Sequence, residues 1–169
     1  DHRDLHSFPT RRSSDLLDIA ALGTLDGDKS EETVMSNYLE IIETVIASLE
    51  QDQSAMVSHT EQGTFWKFAY GSVEVYVQLT GTSDEDILTV WSPVLSLPAK
   101  DEPKLMRHIL EMNCGETFES CFGILGEQVV VLASRPLADI SAGEISRLMT
   151  IVATIADDND EALQAEYGA

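Results

Sequence analysis

Cys114, Cys121, His59 and His108 are the residues of this chain best suited to nucleophilic or metal chemistry. A structural zinc site draws on close pairs such as C-x-x-C or H-x-x-x-H, because those spacings bring two donors together. Here the cysteines are seven apart and His59 and His108 each stand alone, so these four residues do not point to a metal. A thiolate nucleophile needs a histidine within hydrogen-bond reach. One sequence leaves such a pair open, but nothing in the spacing selects it, and both cysteines are read as small core or turn residues. Asp84 with Asp86, and Asp157 with Asp158, are the acid pairs that a hydrolytic dyad or a calcium ion would use. They fall in a predicted turn and a predicted helix end, where carboxylates are normally solvated. No glycine-rich phosphate loop or serine elbow is present. No constellation here specifies a reaction, and the expectation is no catalytic residue, no cofactor and no metal; a binding module is the first reading, with an enzyme of unrecognised site or a structural subunit of a larger assembly as the alternatives the residues leave open.

The residues suited to recognition are aromatic. Trp66, Phe68 and Tyr70 alternate along one predicted strand and share a face, with Phe65 on the other; Tyr76 and Trp91 lie on the next two strands. One set must face the helices. The other is the candidate partner-binding surface, since exposed aromatics mark recognition patches. The competing reading is a sheet covered by helices on both faces.

These aromatics are positioned by the stretch Gly63 to Pro98. Val73, Val75, Val77 and Leu79 alternate with Glu74, Tyr76, Gln78 and Thr80. Successive strand residues point to opposite faces, so the four aliphatics can bury one face together. Phe65 to Tyr70 precedes this run across a short Gly71-Ser72 turn, and Ile87 to Trp91 follows it. Such short connections permit only antiparallel neighbours. Pro93 and Pro98 are expected to end the third strand and leave an apolar loop, Val94 to Leu97. Ser54 to Thr60 is a weaker strand candidate.

Around this meander three helices are predicted. Leu39, Ile42, Val45, Ile46 and Leu49 fall on one helical face within Ser36 to Gln51. Asp101-Glu102-Pro103 opens a second helix, acid and proline both suiting a first turn. Its buried stripe is Leu105, Met106, Ile109, Leu110 and Met112, and Asn113-Cys114-Gly115 stops it. Two strands follow, the first with Phe118, Phe122 and Ile124 on one face, the second the apolar run Val129 to Ala133. Ser141 to Glu144 fits a capping box, with Ile140 and Ile145 as a hydrophobic staple. Ile145, Leu148, Met149, Val152, Ile155 and Ala156 form the buried face of that last helix, which should fray through Asp157 to Asp160 before a polar tail at 161–169. The fold class is therefore α+β: helix, three-stranded antiparallel meander, helix, two strands, helix.

The amino terminus reads differently. The chain opens with Asp, and His6 to Leu16, HSFPTRRSSDL, resembles a translated sequencing adapter. Residues 1–34 are expected to be an artefactual or disordered extension, with 17–34 mobile, Leu16 to Leu22 a possible pair of helical turns, Gly23 to Glu32 of linker composition, and Met35 a possible start. An arginine-bearing targeting peptide is the alternative, but Asp1, Asp4 and Asp15 count against it. The domain is placed at 35–160.

The chain of 169 residues carries a net charge of −20. Nucleic acid binding requires a basic footprint, and an anionic membrane surface would be repelled for the same reason. No apolar run approaches the length of a membrane span. Two cysteines make no disulfide framework, so a reducing cytoplasm is the expected location. The acidity serves solubility, or a partner with basic or amphipathic segments.

The segments WKFAYGSVEVYVQLTG, LTVWSPVLSLP, LMRHILEMNCGETFESCFGI and VVVLASRPLADISAGEISRLMTIVATIADDND together resemble the YbjN-domain family, in particular its members from photosynthetic bacteria. The most telling pieces are Leu97-Pro98, the helix-ending Asn113, and Leu137 to Ser141. The resemblance spans Ser36 to about Leu163; Cys114 departs from the larger residue expected there. It implies a type III secretion chaperone-like fold and a non-enzymatic regulator of the sensory-transduction or chaperone type. It also implies a protein or peptide partner and a possible homodimer, with no catalytic residues to carry over.

Overall fold

The computed structural model describes residues 27–169, with side chains from Tyr38 onward. The expectations for residues 1–26, including the adapter-like run and the possible helix at Leu16 to Leu22, lie outside the described residues. The order is α1 (Gly27–Leu49), β1 (Met56–Thr60), β2 (Gly63–Tyr70), β3 (Val73–Leu79), β4 (Ile87–Ser96), α2 (Glu102–Met112), β5 (Cys121–Leu125), β6 (Gln128–Pro136) and α3 (Ala142–Tyr167). The strands form one six-stranded antiparallel sheet in the order β1-β2-β3-β4-β6-β5. The fold is the α+β arrangement expected, with the weak candidate strand β1 added as a fourth meander strand.

The alternation in β3 has the expected consequence. Val73, Val75, Val77 and Leu79 are all buried, at 5, 0, 0 and 3% exposure, and join residues of the three helices in one core. The helices pack on that face alone among the described residues: α3 lies against β3, β4 and β6, α1 against α3, and α2 beside β5. All six residues expected on the buried face of α3 are buried. Its capping box is complete: the Ser141 amide donates to Glu144 Oε2 at 2.9 Å, and the Glu144 amide donates to Ser141 Oγ at 3.2 Å.

Several expectations are corrected. Helix α1 begins at Gly27 instead of Ser36, so part of the segment read as linker is helical. Its first turns are rich in acids, which suit a helix amino terminus, and apolar periodicity cannot register a turn that has no apolar stripe. Strand β4 does not stop at Pro93. A register shift between Pro93 and Leu95 accommodates the proline, which is tolerated at bulges, and Val94 and Leu95 are buried strand residues. Leu110 is 63% exposed and leaves the buried stripe of α2. Phe118 is not in a strand at all; it sits in a turn at φ 51° and is 77% exposed.

The largest correction is at the carboxyl end. Helix α3 neither frays at Asp157 nor yields to a tail; it continues to Tyr167, with Asp160, Leu163 and Tyr167 buried. The acids that suggested fraying are tied to the β2–β3 turn. The Ser72 amide donates to Asp157 Oδ1 at 2.6 Å, and Ser72 Oγ lies 2.9 Å from Asp160 Oδ1. Gly71 permits this approach: its φ is +53°, and a Cβ there would sit 1.9 Å from Asp157 Oδ1. At the helix end, the Lys100 amide donates to the Tyr167 carbonyl at 2.8 Å, and the Tyr167 hydroxyl lies 3.1 Å from His108 Nδ1.

Candidate protein-binding surface

Because the helices occupy one face, the other face of the sheet is open, and register determines which aromatics stand on it. Pairing of Tyr70 with Val73 places Phe68 opposite Val75 and Trp66 opposite Val77. Directly opposed residues share a face. Trp66 and Phe68 therefore belong to the valine face and are buried core, at 3 and 1% exposure. Tyr70 is partly buried with them, its hydroxyl 3.4 Å from Thr154 Oγ1 on α3. These three are corrected from candidate surface to interior.

Tyr76 and Trp91 are on the open face. They oppose one another across β3 and β4, stacked at 5.4 Å between centroids and 12° between planes. They sit midway along a continuous cross-strand row: Met56, Lys67, Tyr76, Trp91, Leu132 and Cys121, one from each strand. Met56 is 69% exposed at one end, while the central members are partly buried by one another. Of this row, only Tyr76 and Trp91 are surface candidates from the sequence. Leu132 and Cys121 were hidden because their register against β4 depends on which strand of the second pair lies inside.

Polar groups hold the row in place. Lys67 pairs with Glu74, and its ammonium lies 5.6 Å from the Tyr76 ring centroid. The Tyr76 hydroxyl donates to Glu74 Oε2 at 3.0 Å. The bond to Glu74 raises the Lys67 pKa, and the same bond to Lys67 lowers that of Glu74. Burial, then the bond to Glu74, raises that of Tyr76. At neutral pH the trio is therefore ammonium, carboxylate and neutral phenol, a polar margin beside an apolar stack.

The groups that chemistry would need are not assembled. Cys114 and Cys121 are free and exposed, so neither is a core residue; Cys121 lies on the open face. His108 is engaged with Tyr167, and His59 Nδ1 lies 3.1 Å from Thr64 Oγ1. Asp86 organises the β3–β4 turn, accepting from Thr80 Oγ1, the Ser83 amide and Ser83 Oγ at 2.7–2.9 Å. Among the described residues no group of three or more metal-binding side chains is found. No described helix is long and apolar enough to cross a membrane. One residue from the resemblance has a clear local role. Asn113 caps α2 and clamps β5, its Oδ1 accepting from the Phe122 amide at 2.7 Å and its Nδ2 donating to the Phe122 carbonyl at 3.1 Å.

Comparison with solved structures places the fold. A chain of the ExsC–ExsE complex aligns with a TM-score of 0.57 at 16% identity, covering 77% of this chain and 96% of that one. A chain of the HopA1–SchA chaperone–effector complex aligns with a TM-score of 0.51 at 14% identity, covering 75% and 97%. The architecture is thus type III secretion chaperone-like. No curated protein matches the sequence. The family model YbjN, described as "Putative bacterial sensory transduction regulator", matches residues 38–165, and the chain belongs to the YbjN family.

Proposed function

We propose that this chain is a non-enzymatic module that holds a segment of another protein, in a chaperone-like or regulatory capacity. The observation that carries the reading is the uncovered sheet face, where Tyr76 and Trp91 stack at the centre of a row that no described helix covers. Partly buried aromatics with a polar margin have the anatomy of binding hot spots. The solved relatives in fold were both determined as complexes with a protein, ExsE in one case and the effector HopA1 in the other, which supports the same class of partner. The charge of −20 favours partners with basic segments and steers their approach. A reducing cytoplasm suits the two free cysteines.

The test is capture from the native cell with the wild-type chain and with Trp91→Lys, whose fold is checked by circular dichroism. A protein partner retained by the first and lost by the second supports the reading. Partners held equally by both, or none held by either, overturn it.

Self-association is a second reading, favoured by apolar side chains around α2 and β5. Leu110, Phe118, Ile124 and Leu125 are 54–77% exposed there. A symmetric dimer is the commonest way to cover such area. Sedimentation should show dimers at tens of micromolar that Phe118→Asp converts to monomers; monomers alone would exclude it.

A further inference from the structure

The two cysteines stand at the mouth of one loop. Asn113 caps α2 and Cys121 opens β5, so residues 114–121 form a connection with a thiol at each end. Strand β5 is an end strand, and Asn113 meets both the amide and the carbonyl of Phe122, at 2.7 and 3.1 Å. Asn113 thus stands where a residue of a further strand would stand, and the chain reverses between the two. Inward from this clamp, the next residue on each arm of the loop is a cysteine.

Both arms are held by the fold. The amides of Cys114, Gly115 and Glu116 donate to carbonyls of Glu111 and Met112 at 2.9–3.2 Å, so the first arm continues the turn of α2. On the second arm, the Ser120 amide and hydroxyl both donate to the Thr117 carbonyl, at 2.9 and 2.7 Å. Thr117 and Ser120 are buried, and Glu119 pairs with Arg147 of α3 at 2.9 Å. Thr117 Oγ1 has no hydrogen-bond partner, so a small shift of the loop has a bond to gain. Both thiols are exposed, and a Cβ on Gly115 would meet nothing within 4 Å, so the loop is open there. Reagents in solution can therefore reach the pair.

We propose that Cys114 and Cys121 are a redox site, which closes an intrachain disulfide and locks the end strand β5 to the end of α2. A disulfide needs Cα atoms within about 7 Å, and the Asn113–Phe122 clamp on the adjoining residues supplies that closeness. The oxidant is a low-molecular-weight disulfide such as glutathione disulfide. Cys114 Sγ is engaged as a donor to the Leu110 carbonyl at 3.6 Å, so Cys121 reacts first. Its thiolate attacks one sulfur of the oxidant, whose S–S bond breaks and releases one small thiol carrying the proton Cys121 lost. The Cys114 sulfur then leaves Leu110, attacks the Cys121 sulfur of the mixed disulfide and displaces the second small thiol. Two protein thiols are oxidised, one small disulfide is reduced to two thiols, and excess small thiol reverses both steps.

The test incubates the full chain at low micromolar concentration with glutathione disulfide and follows its intact mass after acid quenching. Loss of two hydrogens is expected, restored by reduced glutathione. Cleavage after Glu116 and Glu119 separates the two cysteines, so the disulfide alone should then hold their fragments together. Cys114→Ser should stop at the mixed disulfide on Cys121. Asn113→Ala, its fold checked by circular dichroism, should close the bond about fivefold more slowly, the worth of roughly one hydrogen bond. Should that variant not fold, Asn113→Asp, which keeps the acceptor and loses the donor, replaces it with the same expectation. The oxidised chain should unfold in urea at a midpoint about 1 M higher, as for a short loop closed without strain. Mixed disulfides that persist in the unmutated chain, covalent dimers in place of the intrachain bond, closure at an unchanged rate without Asn113, or a lowered midpoint would each overturn the site. Each of these results leaves the protein-binding reading in place, because capture that depends on Trp91 needs neither thiol.

Discussion

Replacing Tyr167 should destabilise the whole domain, although it lies in what reads as a polar tail. Tyr167 is 2% exposed, and its ring carries the Lys104 ammonium 5.6 Å from its centroid and His108 at 5.9 Å. An aromatic side chain buries about 150–250 Å². At ~25 cal/mol per Å² that is about 4–6 kcal/mol of transfer free energy, an upper estimate because the unfolded chain also buries some of it. Large aromatic truncations cost about 3–5 kcal/mol, and a site at a helix end relaxes more easily than one in mid-core. Tyr167→Ala should therefore cost about 3 kcal/mol. Tyr167→Phe keeps the ring and loses only the hydroxyl that meets His108, about 1 kcal/mol. Urea unfolding separates the two. With a slope of ~2 kcal/mol per M, the midpoint should fall by about 1.5 M for Ala and about 0.5 M for Phe, at unchanged slope. An Ala variant within about 0.5 kcal/mol of wild type would show that the last turns of α3 contribute nothing, and the docking of this end would be refuted.

Gly71→Ala should cost ~2 kcal/mol or more, since it forces a left-handed backbone and a Cβ into Asp157, whereas Gly115→Ala, which meets nothing within 4 Å, should be close to neutral by the same unfolding assay. Ser141→Ala should cost about 1 kcal/mol through the lost cap. Val75→Asp, placing a charge at a fully buried position, should leave the chain unfolded by circular dichroism. The hydroxyl and amide of Ser83 and the hydroxyl of Thr80 hold the Asp86 carboxyl below its ordinary value of 3.8. Its ionised form is thus favoured by folding, so its contribution is present above that value and is lost as pH falls through the lowered one. Asp86→Asn should flatten the acid limb of the stability–pH curve, and an unchanged limb would refute the assignment.

Much of this molecule was legible from local pattern. The β3 alternation, the apolar stripes of α1 and α3 and the capping box are each readable within one element. The site was half legible. The Gly71-Ser72 turn sets Tyr70 against Val73, and that single pairing puts Trp66 and Phe68 on the valine face and Tyr76 on the other. The rest depends on contacts distant in sequence. Cys121 and Leu132 join Trp91 only through the order β4-β6-β5, and no periodicity encodes that order. The acids of α3 were misread for the same reason. Asp157 and Asp160 look like a helix breaking into solvent until Ser72 is brought beneath them from across the chain.

Photo-crosslinking in the native cell asks directly whether the open face of the sheet holds another protein. A benzoylphenylalanine replaces Thr89, next to Trp91 on the open face, or Thr150, exposed on the solvent side of α3. A discrete heavier adduct containing a second protein is expected from position 89 and none from 150. Adducts from 150 alone, or from neither position, would contradict it.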